Sequence, residues 1–170
     1  PDLLQTQLRA LLQLSSDFEL HILVPMVTLP GDIRAVKERL DETARQTRTS
    51  HAPDLGAMIE TPAAALAAGE IVKHADFLSF GTNDLTQYAF VADRENAAVD
   101  TYFDDGHDVI FRLLRIVHDD VPEVPLSICG ELAGRPGALS AILGCGISSL
   151  SVAPLSIPAI KEAVRTCSTC

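Results

Sequence analysis

The 170-residue sequence has no tryptophan, and only 2 tyrosines and 6 phenylalanines. A core without large rings must be filled by aliphatic side chains. Basic residues are also scarce, with 13 Lys and Arg against 23 Asp and Glu, for a net charge of −10. That balance argues against nucleic acid as a partner, because binding a phosphate backbone requires a basic footprint. It argues equally against anionic membrane surfaces. No apolar run reaches the roughly 18 residues of a spanning helix. No basic-then-apolar leader stands at the start, and the opening "PDLLQTQLRALL" reads like the middle of a protein. Cysteines are few: Cys129, Cys145, Cys167 and Cys170. They are too sparse for a disulfide framework in a chain this long, so a reducing, cytoplasmic setting is expected. Cys167 and Cys170 form a lone C-x-x-C pair. With no second pair or histidine cluster it reads as incidental thiols in a tail rather than a zinc site. Neither a G-x-G-x-x-G fingerprint nor a P-loop signature occurs.

What is present is alternation. Leu4, Leu8, Leu11 and Leu12 share one face of a first helix. "LHILVPMV" reads as a buried strand ended by Pro25, and "GDIRAVKERLDETARQ" as an amphipathic helix. "LGAMIE", "DFLSFGT", "VPLSICGE" and "SSLSVA" read as further strands. Between them come "TPAAALAAGEIVKH", "NDLTQYAFVA", "DDGHDVIFRLLRIVHDD" and "RPGALSAILGCG", with "IPAIKEAVRTC" last. Thr61 is placed to cap its helix, with Pro62 in the first turn, where a missing N–H costs nothing. Val109, Leu113 and Val117 are assigned to the buried face of theirs. Five strand–helix repeats with near-continuous apolar strands predict an α/β fold with a parallel sheet covered by helices. An open doubly wound sheet and a (β/α)8 barrel both fit. Five units are too few for a closed barrel of about 250 residues, so the barrel reading expects three preceding units.

Polar residues gather where strands give way to helices: Glu60, then Asn83 and Asp84, then Cys129, Gly130 and Glu131. In both architectures that edge binds ligands. Each residue has an ordinary explanation. Glu60 suits a helix dipole, Asn83 or Asp84 a cap, and Cys129 a small buried hydrophobe. Together they are harder to dismiss. Two carboxylates at one rim are costly unless a cation lies between them, and carboxylate oxygens with open positions suit Mg²⁺. Arg94, in "VADREN", is available for an anionic substrate. The sum is a magnesium ion, a phosphate-like anion and a thiol.

The segments "IETPAAA", "DFLSFGTNDLTQY", "ADREN", "SICGELAG" and "LSIPAIK" resemble the phosphoenolpyruvate-binding C-terminal domain of Enzyme I, which opens the bacterial sugar phosphotransferase system. The resemblance runs from about Leu8 to Arg165. Pyruvate phosphate dikinase and phosphoenolpyruvate synthase share the fold and the "GTNDLTQ" and "CG" motifs, but the "TPAAA", "QY" and "CGELAG" forms look more like Enzyme I or its nitrogen-related paralogue. The resemblance implies a partial (β/α)8 barrel in residues 1–165, with a tail at 166–170. It implies Glu60 and Asp84 as magnesium ligands. Asn83, Arg94 and Gly130 would bind substrate, and Cys129 would be the acid–base at the methylene carbon. It also implies phosphoenolpyruvate and pyruvate as small-molecule partners and a homodimer. The phosphoryl acceptor would be a histidine on another domain, which serves a histidine-containing phosphocarrier protein. A non-catalytic module that binds phosphoenolpyruvate or dimerises is the other class of function. His21, His51, His74, His107 and His118 match no family motif and are expected at solvated or capping positions. "YFDDGHDVI" departs from the family by lacking its prolines. A chain of five units is expected to be inactive alone.

Overall fold

A computed structural model describes residues 3–49 and 52–167. Five strands form one sheet: β1 (His21–Val27), β2 (Asp54–Ile59), β3 (Phe77–Gly81), β4 (Leu126–Cys129) and β5 (Ser149–Leu150). Every pairing is parallel, and the spatial order equals the chain order. A doubly wound sheet reverses direction at a switch point. This one never does, so its strands are consecutive staves of a barrel wall.

The first helix, α1 (Leu3–Leu14), buries Leu8 and Leu12 against α2 (Pro30–Thr47). Asp32, in the first turn of α2, accepts the N–H groups of Thr28 and Leu29 at 3.0 and 2.8 Å, which fixes the helix entry. After β2 come α3 (Pro62–Leu66) and α4 (Ala68–Ile71), two short helices where the sequence predicts one. They part at Ala67, whose backbone leaves helical values at φ −107° and ψ 12°, and in the first turn of α4 the Gly69 N–H donates to Asp120 Oδ2 at 2.7 Å. The expected Thr61 cap is present, its hydroxyl accepting the Ala64 N–H at 3.1 Å.

β3 runs straight into α5 (Thr82–Phe90), and a long loop then leads to α6 (Asp108–Asp120). His107 caps α6, accepting the Val109 N–H at 3.2 Å. His51 lies outside the described residues, as does Cys170 of the C-terminal pair. The buried face of α6 is Ile110, Phe111, Leu114 and Val117; of the expected row Val117 is buried and Leu113 packs partly against the core, while Val109 is exposed. Val109 belongs to the exposed first turn. After β4, 3-10 turns at Leu132–Gly134 and Pro136–Ala138 lead to α7 (Leu139–Leu143), and α8 (Ile157–Thr166) closes the described chain.

The core is aliphatic apart from Phe80, Phe111 and Cys145, as the lack of rings requires. Its largest fully buried side chains come from α1, α2, β2, β3 and the helices over them. No helix among the described residues is long and apolar enough to cross a membrane.

β1 corrects an expectation. It is neither buried nor ended by Pro25. Only Val27 is buried, and the strand continues through the proline. As the outermost strand in the sheet order it pairs on one side alone, where a residue without an N–H is tolerated. Val24 pairs with Ala57 and Val27 with Ile59, so Pro25 and Met26 together oppose Met58 in a bulge. Met26 takes φ 54°, unusual for a side chain of its size.

Candidate active site

The bulge has a chemical consequence. It turns the Met26 N–H out of the ladder and onto Glu60 Oε1, at 2.5 Å. Glu60 follows β2 directly and is 4% exposed. Burial pushes its carboxyl above the ordinary range, the Met26 N–H opposes that, and the charge and hydrogen bond of Asp84 raise it further. Asp84 lies in the first turn of α5. The two carboxyl groups predicted to share a rim are therefore in contact across neighbouring strands. Gly81 makes room for them, since a Cβ there would stand 2.6 Å from Glu60 Oε2.

Gly81 is in register with Cys129 on β4. The Cys129 thiol is half-buried, and its pKa is raised by burial first and then by the charges of Glu60 and Asp84, against a hydrogen bond with Ser79. A thiol so placed holds its proton at neutral pH. Its carbonyl accepts the Thr82 hydroxyl at 2.8 Å, which ties the end of β4 to the start of α5.

Gly130 has φ +92°, and a Cβ there would lie 2.3 Å from Thr82 Oγ1. The chain turns here in the left-handed region, pressed against its neighbour strand, so glycine is required. Asn83 Oδ1 accepts the Glu131 N–H at 3.0 Å and holds the far side of the same turn. That contact leaves its amide NH₂ available to donate. An open cleft of 560 Å³ lies alongside, lined in part by Asn83, Cys129, Gly130, Glu131, Ser151 and Ser156.

The structure thus brings Glu60, Asp84, Asn83, Cys129 and Gly130 to adjoining ends of β2, β3 and β4. It does not draw Arg94 into their contacts. Arg94 is exposed on the loop after α5, with its backbone N–H 3.3 Å from Gln87 Oε1 and its guanidinium in no ion pair among the described residues. Three contributors escaped the sequence. The Met26 N–H is a backbone group that any residue carries. Ser79 and Thr82 sit within strand and helix runs where hydroxyls look incidental; the alternation of β3 could have flagged Ser79.

No group of three or more His, Cys, Asp or Glu side chains suited to a metal occurs among the described residues. Glu60 and Asp84 supply two adjacent hard-oxygen donors and leave the remaining positions open. That suits Mg²⁺, which keeps several waters and takes one or two protein carboxylates together with substrate oxygens.

Comparisons with known proteins bear on the family and the fold. The chain is 40% identical over 170 residues to a multiphosphoryl transfer protein of Xanthomonas campestris pv. campestris, covering 97% of this chain and 20% of that protein. It is 39% identical over 171 residues to a phosphoenolpyruvate-protein phosphotransferase of Listeria monocytogenes, covering 96% of this chain and 30% of that one. The chain thus spans a fifth to a third of the length of these proteins. A citrate lyase structure from Burkholderia xenovorans superposes with a TM-score of 0.71 at 18% identity, covering 94% of this chain and 53% of that one, which speaks to fold alone. The profile of the phosphoenolpyruvate (PEP)-binding domain of PEP-utilising enzymes matches residues 1–169, and the chain belongs to that family.

Proposed function

We propose that this chain is the PEP-binding catalytic domain of a phosphoenolpyruvate-protein phosphotransferase. In the intact enzyme it transfers the phosphoryl group of phosphoenolpyruvate to a histidine on another domain and releases pyruvate. The observation that carries this reading is the meeting of a buried carboxyl, Glu60, with the half-buried Asp84, near enough to a proton-bearing thiol, Cys129, for their charges to raise its pKa, on adjoining strand ends. A site that only bound phosphoenolpyruvate would have no use for an acid at that point.

Glu60 and Asp84 would hold Mg²⁺, which when bound supplies positive charge to the phosphoryl oxygens. Arg94 and the Asn83 amide hold the anionic substrate, which is chiefly a positioning contribution. In the reaction the bond between phosphorus and the enol oxygen breaks. The phosphoryl group passes to the histidine nitrogen, and the electron pair stays on the oxygen as an enolate. Cys129 then gives its proton to the methylene carbon, yielding pyruvate and a thiolate that regains a proton from solvent. The Met26 N–H and the Ser79 hydroxyl hold the carboxylate and the thiol in place. Gly130 lets the backbone turn away so that Cys129 can face the substrate.

The same reading carries the enzyme's wider setting. It would act in the cytoplasm in Mg²⁺-dependent sugar transport, as a homodimer, and pass the phosphoryl group to a histidine-containing phosphocarrier protein. The relatives named as phosphotransferases support this. The test is incorporation of labelled phosphate from phosphoenolpyruvate into the full-length protein, with pyruvate measured alongside. Equal yields of phosphoprotein and pyruvate are expected. Tight binding of phosphoenolpyruvate with neither product would leave a binding module instead.

A further inference from the structure

One buried charge plays no part in the mechanism above. Asp105, on the loop between α5 and α6, has a side chain only 3% exposed. Its Oδ1 meets Arg135 Nη1 at 2.6 Å, while the Arg135 side chain is 53% exposed. The other carboxylate oxygen, Oδ2, is buried with no hydrogen-bond partner among the described residues. As a source of stability this is a poor arrangement. Desolvating a carboxylate offsets most of what the pair gains, and an unpartnered buried oxygen adds to the cost. Burial accordingly pushes the Asp105 carboxyl up, against the pull of Arg135. What such a pair does well is fix geometry.

The geometry it fixes joins two functional segments. Arg135 links the two 3-10 turns that follow Cys129 and Gly130, and its backbone is held at both faces. Its N–H donates to the Leu132 carbonyl at 3.1 Å, and its carbonyl accepts the Ala138 N–H at 3.0 Å. Asp105 closes the loop that begins at Val91 and carries Arg94. On either side of it the chain is held by further contacts. Asp104 accepts the Gly106 N–H at 3.1 Å, and the His107 ring stacks edge-on to Phe90 at 5.3 Å. Arg94 stands at the α5 end of this loop, its N–H against Gln87 Oε1 at 3.3 Å, and the Asp105–Arg135 ion pair holds the loop's far end.

We propose that Asp105 and Arg135 are positioning residues, a strap that ties the Arg94 loop to the Cys129–Gly130 turn and sets the reach of Arg94 over the cleft. The inference rests on the functional reading above, with Arg94 as the anion-binding residue. Neither member of the pair touches the reacting atoms. Their effect passes through Arg94 and so falls on substrate affinity rather than on proton transfer.

The experiment is a coupling analysis in the full-length protein, with steady-state phosphoryl transfer from phosphoenolpyruvate and thermal melting read together. Asp105→Asn and Arg135→Gln are each expected to raise KM by about fivefold or more with kcat within about twofold, the pattern of lost ground-state binding. Arg135→Lys should recover most of the loss. In an Arg94→Gln background the further rise in KM from either variant should vanish, while their effects on melting persist, because coupled residues do not add. Should Asp105→Asn fail to fold, the half-exposed Arg135→Gln carries the test alone. Unchanged KM in the strap variants, or an equal rise with and without Arg94, overturns the proposal. A parent protein that takes no phosphate from phosphoenolpyruvate overturns the functional reading instead, which separates the two failures.

Discussion

The bodies of the strands and their C-terminal ends obey opposite rules. In the bodies, Leu55, Leu78, Phe80 and Ile128 are sealed against helices, with essentially no exposure. One residue further on, β2 delivers a buried carboxyl, β3 a glycine and an acidic helix turn, and β4 a half-buried thiol followed by a left-handed glycine. The bodies lower the free energy of the fold. The ends raise it, through a carboxyl held above its normal pKa, backbone in the left-handed region at Met26 and Gly130, and charges of one sign in contact. Groups arranged at a cost to the fold mark where function is served.

The contrast can be broken at several points. The largest effect falls on the rate. Cys129→Ala in the full-length protein should reduce turnover by about 10²–10⁴, the usual contribution of a positioned acid, with KM nearly unchanged. Turnover near the parent level would remove Cys129 from the acid role. The parent should also lose activity as pH rises through the raised thiol pKa, because only the protonated form can donate. A pH–rate profile without an alkaline limb would argue the same way.

Next comes the body itself. Phe80→Ala, at a fully buried ring, should cost about 3–5 kcal/mol of stability, measured by denaturant unfolding, whatever the Mg²⁺ concentration. A smaller loss of about 1–3 kcal/mol is expected for Gly130→Ala, which places a Cβ 2.3 Å from the Thr82 hydroxyl oxygen on a backbone few side chains adopt. Unlike Phe80→Ala, it should also impair turnover.

The smallest effect has the opposite sign. Glu60 has a folded pKa above its ordinary value of 4.5. Its contribution to stability is therefore fully present below that value and is lost as pH rises through the raised one. At neutral pH, without metal, the ionised carboxylate is a net cost, and Glu60→Gln should raise the melting temperature by about 2–4 °C for each kcal/mol relieved. The gain should disappear at pH 4. Destabilisation of the metal-free protein by Glu60→Gln would show that the carboxylate supports the fold.

The bodies were the more legible half. Apolar runs marked β2, β3 and β4, and Thr61 with Pro62 marked a helix start, because burial and capping leave local signals. Pro25 misled because its meaning depends on the sheet: inside a central strand it would end the pairing, whereas at the outermost strand it permits a bulge. The face of α6 was misread at Val109, which looks like core but lies in a first turn that nothing covers. At the site, the carboxyl pair and the thiol were legible as residue types at strand ends. The hydrogen bond between Glu60 and Asp84 was not, and neither was the Met26 N–H, since a backbone donor acquires its role only from the bulge. Asp105 carried no signal at all. A lone aspartate in an acidic loop gives no hint that the fold will bury it against Arg135.

The claim that these strand ends form one Mg²⁺-dependent phosphoenolpyruvate site is tested most directly by calorimetric titration of the full-length protein with phosphoenolpyruvate, with and without Mg²⁺. The parent should bind with Mg²⁺ and bind at least about tenfold more weakly without it, because the carboxyl pair alone repels the phosphate. Glu60→Gln and Asp84→Asn should each lose most of that difference. Phosphoenolpyruvate binding that ignores both the metal and the two substitutions would contradict the account.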